Sequence, residues 1–326
     1  MKIGIIGERH NFMSQTMLKE SLACRGVEVV WFLEAGIPVG KQEKLYGRKF
    51  DYGPILNTIK RSKGILKINN HNGAIDCCKV CNKEGIAYIV PQGLSLNDGL
   101  PEEMYRQPQV DYALIAGCDQ ILKEKALQIA RKKIINYHYS PLPAYRGKYI
   151  AFWQWYNREP FIGYTFHEVD LGVDTGKIVY QGQVDYDPAE MYETVIRRVV
   201  TESAKQLNEV YDCLEQSRQV LLPGERVESL FKSKDYLNLV TADRSQQVEQ
   251  MREVFERTGW FRLKNGLVIS QIIDYGQGKN DDYQVDSEGM VIPLADGYIK
   301  GGVISPVPFW LFKLLVGKKR LLAGLK

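Results

Sequence analysis

The sequence predicts an α/β fold: a mostly parallel sheet with helices, followed by a small β-rich, barrel-like C-terminal domain. Three observations predict it. The first half alternates short apolar runs with helical patterns, the signature of βαβ units. The stretch "LLPGER", residues 221–226, carries adjacent proline and glycine breakers and marks a boundary. Beyond it, short β-like pieces are punctuated by glycines, as in small barrels.

In chain order, the strand candidates are Lys2–Ile6, Val27–Leu33, Ile86–Val90, Tyr112–Ala116 and Ile134–His138. Helix candidates fall between them at Ser14–Cys24, Ala74–Lys83 and Lys123–Lys132. Gly163–Asp170 and Lys177–Tyr186 read as two more strands joined by "LGVDTG", and a long helix runs from Pro188 to Glu215 with proline at its start. After the boundary come a helix at Ser245–Arg257 and the glycine-punctuated pieces "GWFRLKNGLVIS" and "YQVDSEGMVIPLADGYIKGG". The expected organisation is therefore 1–220, 225–305 and a tail, 306–326. No internal repeat is evident.

The composition, 326 residues with 44% hydrophobic and 25% charged, is that of an ordinary globular chain. The N-terminus lacks a signal pattern and no apolar run reaches membrane-spanning length, so a cytoplasmic location is expected. The formal charge of +4 hides an asymmetry. Residues 309–326 hold five basic side chains and no acid, and setting them aside leaves the body at −1. A strongly basic nucleic-acid surface is thereby excluded for the body. The tail joins the apolar "FWLFKLLV" to the basic "GKKR", a pattern that suits either membrane-surface contact or packing in a homodimer. Cys77, Cys78 and Cys81 cluster, but no second Cys or His pair lies at zinc-finger spacing, so buried helix thiols are expected and no metal.

The segment "INYHYSPLPAYRG", Ile135 to Gly147, carries the chemistry. In a strand, Asn136 and His138 share one face, and Pro141 and Pro143 then end the strand. Ligands of parallel sheets bind beyond the carboxyl ends of the strands, so this segment should line such a crevice. A later strand offers His167, and the loop after it Asp174. Spacing alone leaves two readings open, a reactive site or a hydrogen-bonded strand end with satisfied histidines.

The motifs go further. "NYHYSPLPAYRG" followed by "GYTFHEVDLGVDTGKIV" resembles the signature of the folate-dependent formyltransferases: Asn-x-His, Ser-x-Leu-Pro, Arg-Gly, then a distal Asp-x-Gly. The resemblance is dense from 111 to 186 and looser elsewhere, including the C-terminal appendix. It implies a doubly wound, Rossmann-like transferase domain with Asn136, His138 and Asp174 as catalytic residues and His167 supporting Asp174. By the same resemblance the formyl donor is N10-formyltetrahydrofolate. Its pterin would lie against Gln120, Ile121 and Leu122 on one side and Asp170, Leu171, Gly172 and Val173 on the other. Ser140, Pro141, Leu142, Pro143 and Lys148 complete that pocket, with the Pro91-Gln-Gly turn as a further wall.

The chemistry required is attack of an amine on a formyl carbon through a tetrahedral oxyanion. An amide N–H from Asn136 and an imidazolium at His138 suit that oxygen, and Asp174 suits the proton leaving the amine. No nucleophilic side chain is required. The expected acceptor is a nucleotide-linked amino sugar serving cell-surface glycan synthesis. Two features favour it over the alternative, methionyl-tRNA: His167, and "GERHNF" where the tRNA enzymes carry a Gly-Thr-Pro turn. The near-neutral body also offers little to tRNA phosphates. Arg9 and His10 would meet a diphosphate, and Arg146, Tyr149 and Trp153 would meet sugar or base. A non-catalytic folate-binding protein is the remaining alternative, against which the intact Asn-His-Asp set stands.

Overall fold

A computed structural model describes residues 1–35, 76–91, 96–97, 102–118, 120–278, 282–304, 321–323 and 325. They divide into two compact units, one holding the described residues up to Lys232 and the other beginning at Ser233. The first unit thus continues past the expected boundary at 221–226.

In the first unit the order is β1 (Lys2–Gly7), α1 (Phe12–Ala23), β2 (Glu28–Glu34), α2 (Cys77–Glu84), β3 (Ala87–Ile89), α3 (Glu102–Tyr105), β4 (Val110–Ala116), α4 (Glu124–Leu127) and β5 (Ala130–His138). It continues through β6 (Arg146–Gly147), α5 (Ile150–Tyr156), β7 (Phe161–Glu168), β8 (Ile178–Asp185), α6 (Tyr192–Ala204), α7 (Leu207–Glu215) and β9 (Leu230–Phe231). The main sheet runs β3-β2-β1-β4-β5-β7-β8. Pairing is parallel through β5, whereas β7 and β8 are antiparallel. The central strands read as continuous apolar runs because both faces are covered, and Ile3, Ile5, Ile6, Trp31, Phe32 and Leu33 are all essentially fully buried. Gly4 makes room for this packing: a Cβ there would lie 2.2 Å from the Trp31 indole.

Three sequence expectations need correction. The helix expected at Lys123–Lys132 is only Glu124–Leu127, because residues from Ala130 pair with β4 as the start of β5. Sheet pairing overrides the local helical pattern there. The helix expected from Pro188 to Glu215 is two, Tyr192–Ala204 and Leu207–Glu215. Pro188 sits instead in a turn in which Glu190 N–H donates to Asp187 O at 2.8 Å. The helix expected from Ser245 starts at Val248, because Asp243 turns the chain by accepting from the Ser245 N–H at 2.7 Å.

The second unit contains α8 (Ser233–Val240), β10 (Thr241–Ala242), α9 (Val248–Thr258), β11 (Phe261–Leu263), β12 (Val268–Gln277), β13 (Gln284–Val285), β14 (Met290–Pro293) and β15 (Gly297–Val303). Its six strands order as β10-β11-β12-β15-β14-β13 and curl into the expected barrel-like form. Phe261, Leu263, Ile269, Met290, Ile292 and Ile299 form its dry core. Of the tail considered for membrane contact, residues 305–320 lie outside the described set, while Leu321 and Leu325 pack into this core. No helix among the described residues is long and apolar enough to cross a membrane.

Candidate active site

Register builds the centre of the site. β5 and β7 pair antiparallel with Asn136 opposite His167 and His138 opposite Thr165. Directly opposed residues share a face, so Asn136 and His167 meet across the strands. The Asn136 amide donates from Nδ2 to His167 Nε2 at 3.1 Å, and His167 Nδ1–H donates to Glu168 O at 2.8 Å. A carbonyl can only accept, which assigns the His167 proton to Nδ1 and leaves Nε2 to orient the amide. His167 was expected to support Asp174. Its hydrogen bond goes to Asn136, while Asp174 Oδ1 lies 3.7 Å from Nε2.

His138 is also buried, at 6% exposure. Its Nε2–H donates to Tyr145 O at 3.0 Å, so Nδ1 faces Asp174 Oδ1 at 3.7 Å. Burial lowers its pKa, outweighing the Asp174 carboxylate that raises it. Burial likewise carries His167 down to about 4, aided by His138 and opposed by Asp174. Both rings are therefore neutral at neutral pH. The expected His138 imidazolium is replaced in this state by a neutral ring whose Nδ1 can accept a proton.

Asp174 is delivered by a shaped loop. Asp170 Oδ1 accepts from Gly172 N–H at 3.0 Å and from the Thr175 hydroxyl at 2.7 Å, closing the turn. The two glycines have separate reasons. A Cβ at Gly172 would lie 2.0 Å from Thr175 Oγ1, and one at Gly176 would lie 1.8 Å from Glu168 O. Asp174 itself sits at φ 52°, the left-handed region, and its Oδ2 accepts from Gly147 N–H at 2.9 Å. The Asp-x-Gly and Arg-Gly motifs thus meet in one hydrogen bond.

The remaining expected residues separate into walls and fasteners. Ile121 and Leu171 are 63% and 60% exposed, unusual for such side chains, whereas Leu122 is buried. Asn97 fastens the Gln120–Leu122 loop, donating to Ile121 O and accepting from Lys123 N–H. Gln120 Oε1 accepts from Leu96 N–H. The Ser140–Pro143 turn is tied from behind: Thr165 Oγ1 donates to Ser140 O and accepts from Leu142 N–H, and Gln181 donates to Leu142 O. The Ser140 hydroxyl donates to Ala144 O. Of the Pro91 turn, Gln92 and Gly93 lie outside the described residues.

Arg146 Nε donates to Val173 O at 2.8 Å and its Nη1 pairs with Glu228, so it clamps the Asp174 loop. Arg9 makes a two-point pair with Asp76, the N-cap of α2, while His10 is exposed. Lys148 is half-buried, and Tyr149 caps α5 at φ 58°. Trp153 stacks on Phe231 with ring centroids 4.9 Å apart. Gln154, 1% exposed, was not singled out from the sequence. It donates to Tyr139 O and accepts from Gly163 N–H, joining the site loop to β7. Nor were Ser229 and Phe231, whose only sequence signal is an exposed-looking linker.

His138, His167 and Asp174 also offer donor atoms within 4.8 Å of one another, a spacing that can hold a cation. The Asn136 amide already occupies the His167 lone pair such an ion would need.

A doubly wound sheet with this polar cluster at its strand ends defines an α/β fold with a candidate active site. Residues 53–211 match the formyl transferase family. A methionyl-tRNA formyltransferase from Finegoldia magna is 23% identical over 225 residues, spanning 66% of this chain and 72% of the relative. Two solved structures share the fold over nearly their whole length at 16% identity. One is the sugar 3N-formyl transferase WlaRD, solved with dTDP and 5-N-formyl-THF (TM-score 0.53; 94% of this chain, 99% of that one). The other is an N-formyltransferase from Helicobacter canadensis in complex with folinic acid and dTDP-3-aminofucose (TM-score 0.52; 93% and 99%). The likeness of this chain to known proteins is thus to formyltransferases.

Proposed function

We propose that the chain transfers the formyl group of N10-formyltetrahydrofolate to the amine of a nucleotide-linked amino sugar. The observation that carries the transfer is the geometry of His138, its Nδ1 turned to Asp174 beside an Asn136 amide oriented by His167. The amine nitrogen attacks the formyl carbon and the carbonyl electrons move onto oxygen. Asn136 spends one amide N–H on His167, so the second is the one that meets the oxyanion, a contact worth about 3 kcal/mol in such sites. His138 Nδ1 takes the proton from the amine, and the imidazolium so formed pairs with Asp174. The C–N10 bond then breaks as N10 gains a proton, releasing tetrahydrofolate. Ile121 and Leu171 supply apolar surface for the pterin, and Lys148 and the Asp170–Val173 main chain line the same pocket.

The acceptor assignment is supported by His167 and by the shared fold with two sugar-modifying enzymes. A methionyl-tRNA acceptor is the second reading, favoured by the Finegoldia magna relative. The test is to incubate the protein with N10-formyltetrahydrofolate and, in parallel, dTDP-, UDP- and GDP-linked amino sugars and charged initiator tRNA. The expected result is a mass gain of one CO on a nucleotide-linked sugar. Formylated tRNA with no sugar turnover overturns the acceptor; no formylation of either overturns the activity.

A further inference from the structure

His138 and Asp174 each hydrogen-bond to one short loop. Tyr145 O accepts from His138, and Gly147 N–H donates to Asp174. That loop does not hold itself. Tyr145 lies at φ 58°, a left-handed conformation that needs outside support in a tyrosine, while Gly147 adopts φ 99° freely as a glycine. The support comes from residues 229–231, more than eighty positions later and beyond the family match at 53–211.

Ser229 Oγ accepts from Tyr145 N–H at 2.8 Å, and Ser229 O accepts from Arg146 N–H at 2.8 Å. Phe231 O accepts from Lys148 N–H at 2.9 Å, completing the parallel β6–β9 pair. A Cβ at Gly147 would lie 2.1 Å from Phe231 O, so this approach requires the glycine. The Phe231 ring is sandwiched between Tyr145 (5.4 Å, 8° between planes) and Trp153 (4.9 Å, 26°).

We propose that Ser229 and Phe231 are positioning residues for catalysis. Through Tyr145 they hold the proton of His138 on Nε2 and keep Nδ1 as the proton acceptor, and through Gly147 they aim Asp174 at it. Without the Ser229 and Phe231 contacts, Tyr145 relaxes toward an ordinary negative φ. Its carbonyl then turns away from His138, and the ring is released to the other tautomer. The segment belongs to the first unit, which ends at Lys232.

The kinetic arm rests on the function proposed above; the spectroscopic arm does not. The full chain, with four histidines in all, is labelled with 15N in its imidazoles, and Ser229→Ala, Phe231→Leu and the conservative Ser229→Thr are compared with the parent. The parent should show His138 as the Nε2–H tautomer. Ser229→Ala and Phe231→Leu should show a mixture, with Ser229→Thr restoring the parent signal. With N10-formyltetrahydrofolate and the best amino-sugar acceptor, kcat should fall about tenfold to a hundredfold in the two disruptive variants while the donor KM stays within about twofold. An unchanged His138 tautomer in both disruptive variants overturns the proposal, as does a tautomer shift with parental kcat. If the parent forms no product but the tautomer still shifts, positioning stands and the assigned activity falls.

Discussion

The candidate site and the C-terminal sheet solve burial in opposite ways. Around His138 and His167, polar side chains are buried, and their hydrogen bonds run to one another and to backbone carbonyls of neighbouring loops. In the second unit, Phe261, Leu263, Met290 and Ile299 are all at 0% exposure in an apolar core. Buried neutral imidazoles lower stability as pH falls and gain a poised proton acceptor in exchange. An apolar core takes on neither property. The difference teaches that histidine-linked pH sensitivity and chemistry should travel together in the first unit and be absent from the second, whose residues 233–326 contain no histidine.

That contrast can be broken in several ways. His138→Ala or Asp174→Asn should reduce formyl transfer by about a thousandfold or more while a thermal melt stays close to the parent's. A retained rate would remove proton transfer from this pair. Phe261→Ala, in the second unit, should instead cost about 3–5 kcal/mol in a denaturant melt without moving the pH dependence of transfer. Asn136→Ala should lose about two orders of magnitude in kcat, as for one missing oxyanion donor.

Acidification sharpens the comparison. The unfolded chain protonates its histidines near 6.5, before the folded chain does, since burial depresses both site rings and His167 to about 4. Their stabilising contribution is therefore complete above about pH 6.5 and is lost as pH falls from there toward 4, on the order of 3 kcal/mol for His167. A His167→Phe variant should flatten that slope, whereas Phe261→Ala should shift the whole curve and keep it. Formyl transfer should fall over the same acid range as His138 Nδ1 and the amine take up protons. The smallest effect concerns metal: a chelator should leave transfer unchanged. Added zinc should inhibit it by drawing His138, His167 and Asp174 together at the expense of the Asn136 bond.

Much of this was legible in the chain. Asn136 and His138 stand two apart on an apolar strand that prolines terminate, and the backbone period alone puts them on one face. The Asp-x-Gly loop was recognisable through the formyltransferase signature it resembles, and the structure supplies the reason for its glycine: a side chain at Gly176 would collide with Glu168. Helix ends were less legible. Arg131 and Lys132 continue a helical pattern, yet they lie within β5, between Ala130 and Lys133, which pair with β4.

The sequence by itself determined the fold class and, in outline, the succession of strands along the chain up to β5, which follow from local periodicity and from glycines and prolines whose backbone needs are local. The candidate site residues were legible only through the resemblance that their motifs carry. Only the tertiary structure decided the protons. Depth of burial made His138 neutral, the β5–β7 register turned His167 to Asn136, and a left-handed Tyr145 set which nitrogen of His138 is free. Ser229 and Phe231 entered the site only through folding. Hydrogen-bond partners drawn from residues far apart in sequence depend on how the backbone closes in space, and linear spacing carries no trace of that.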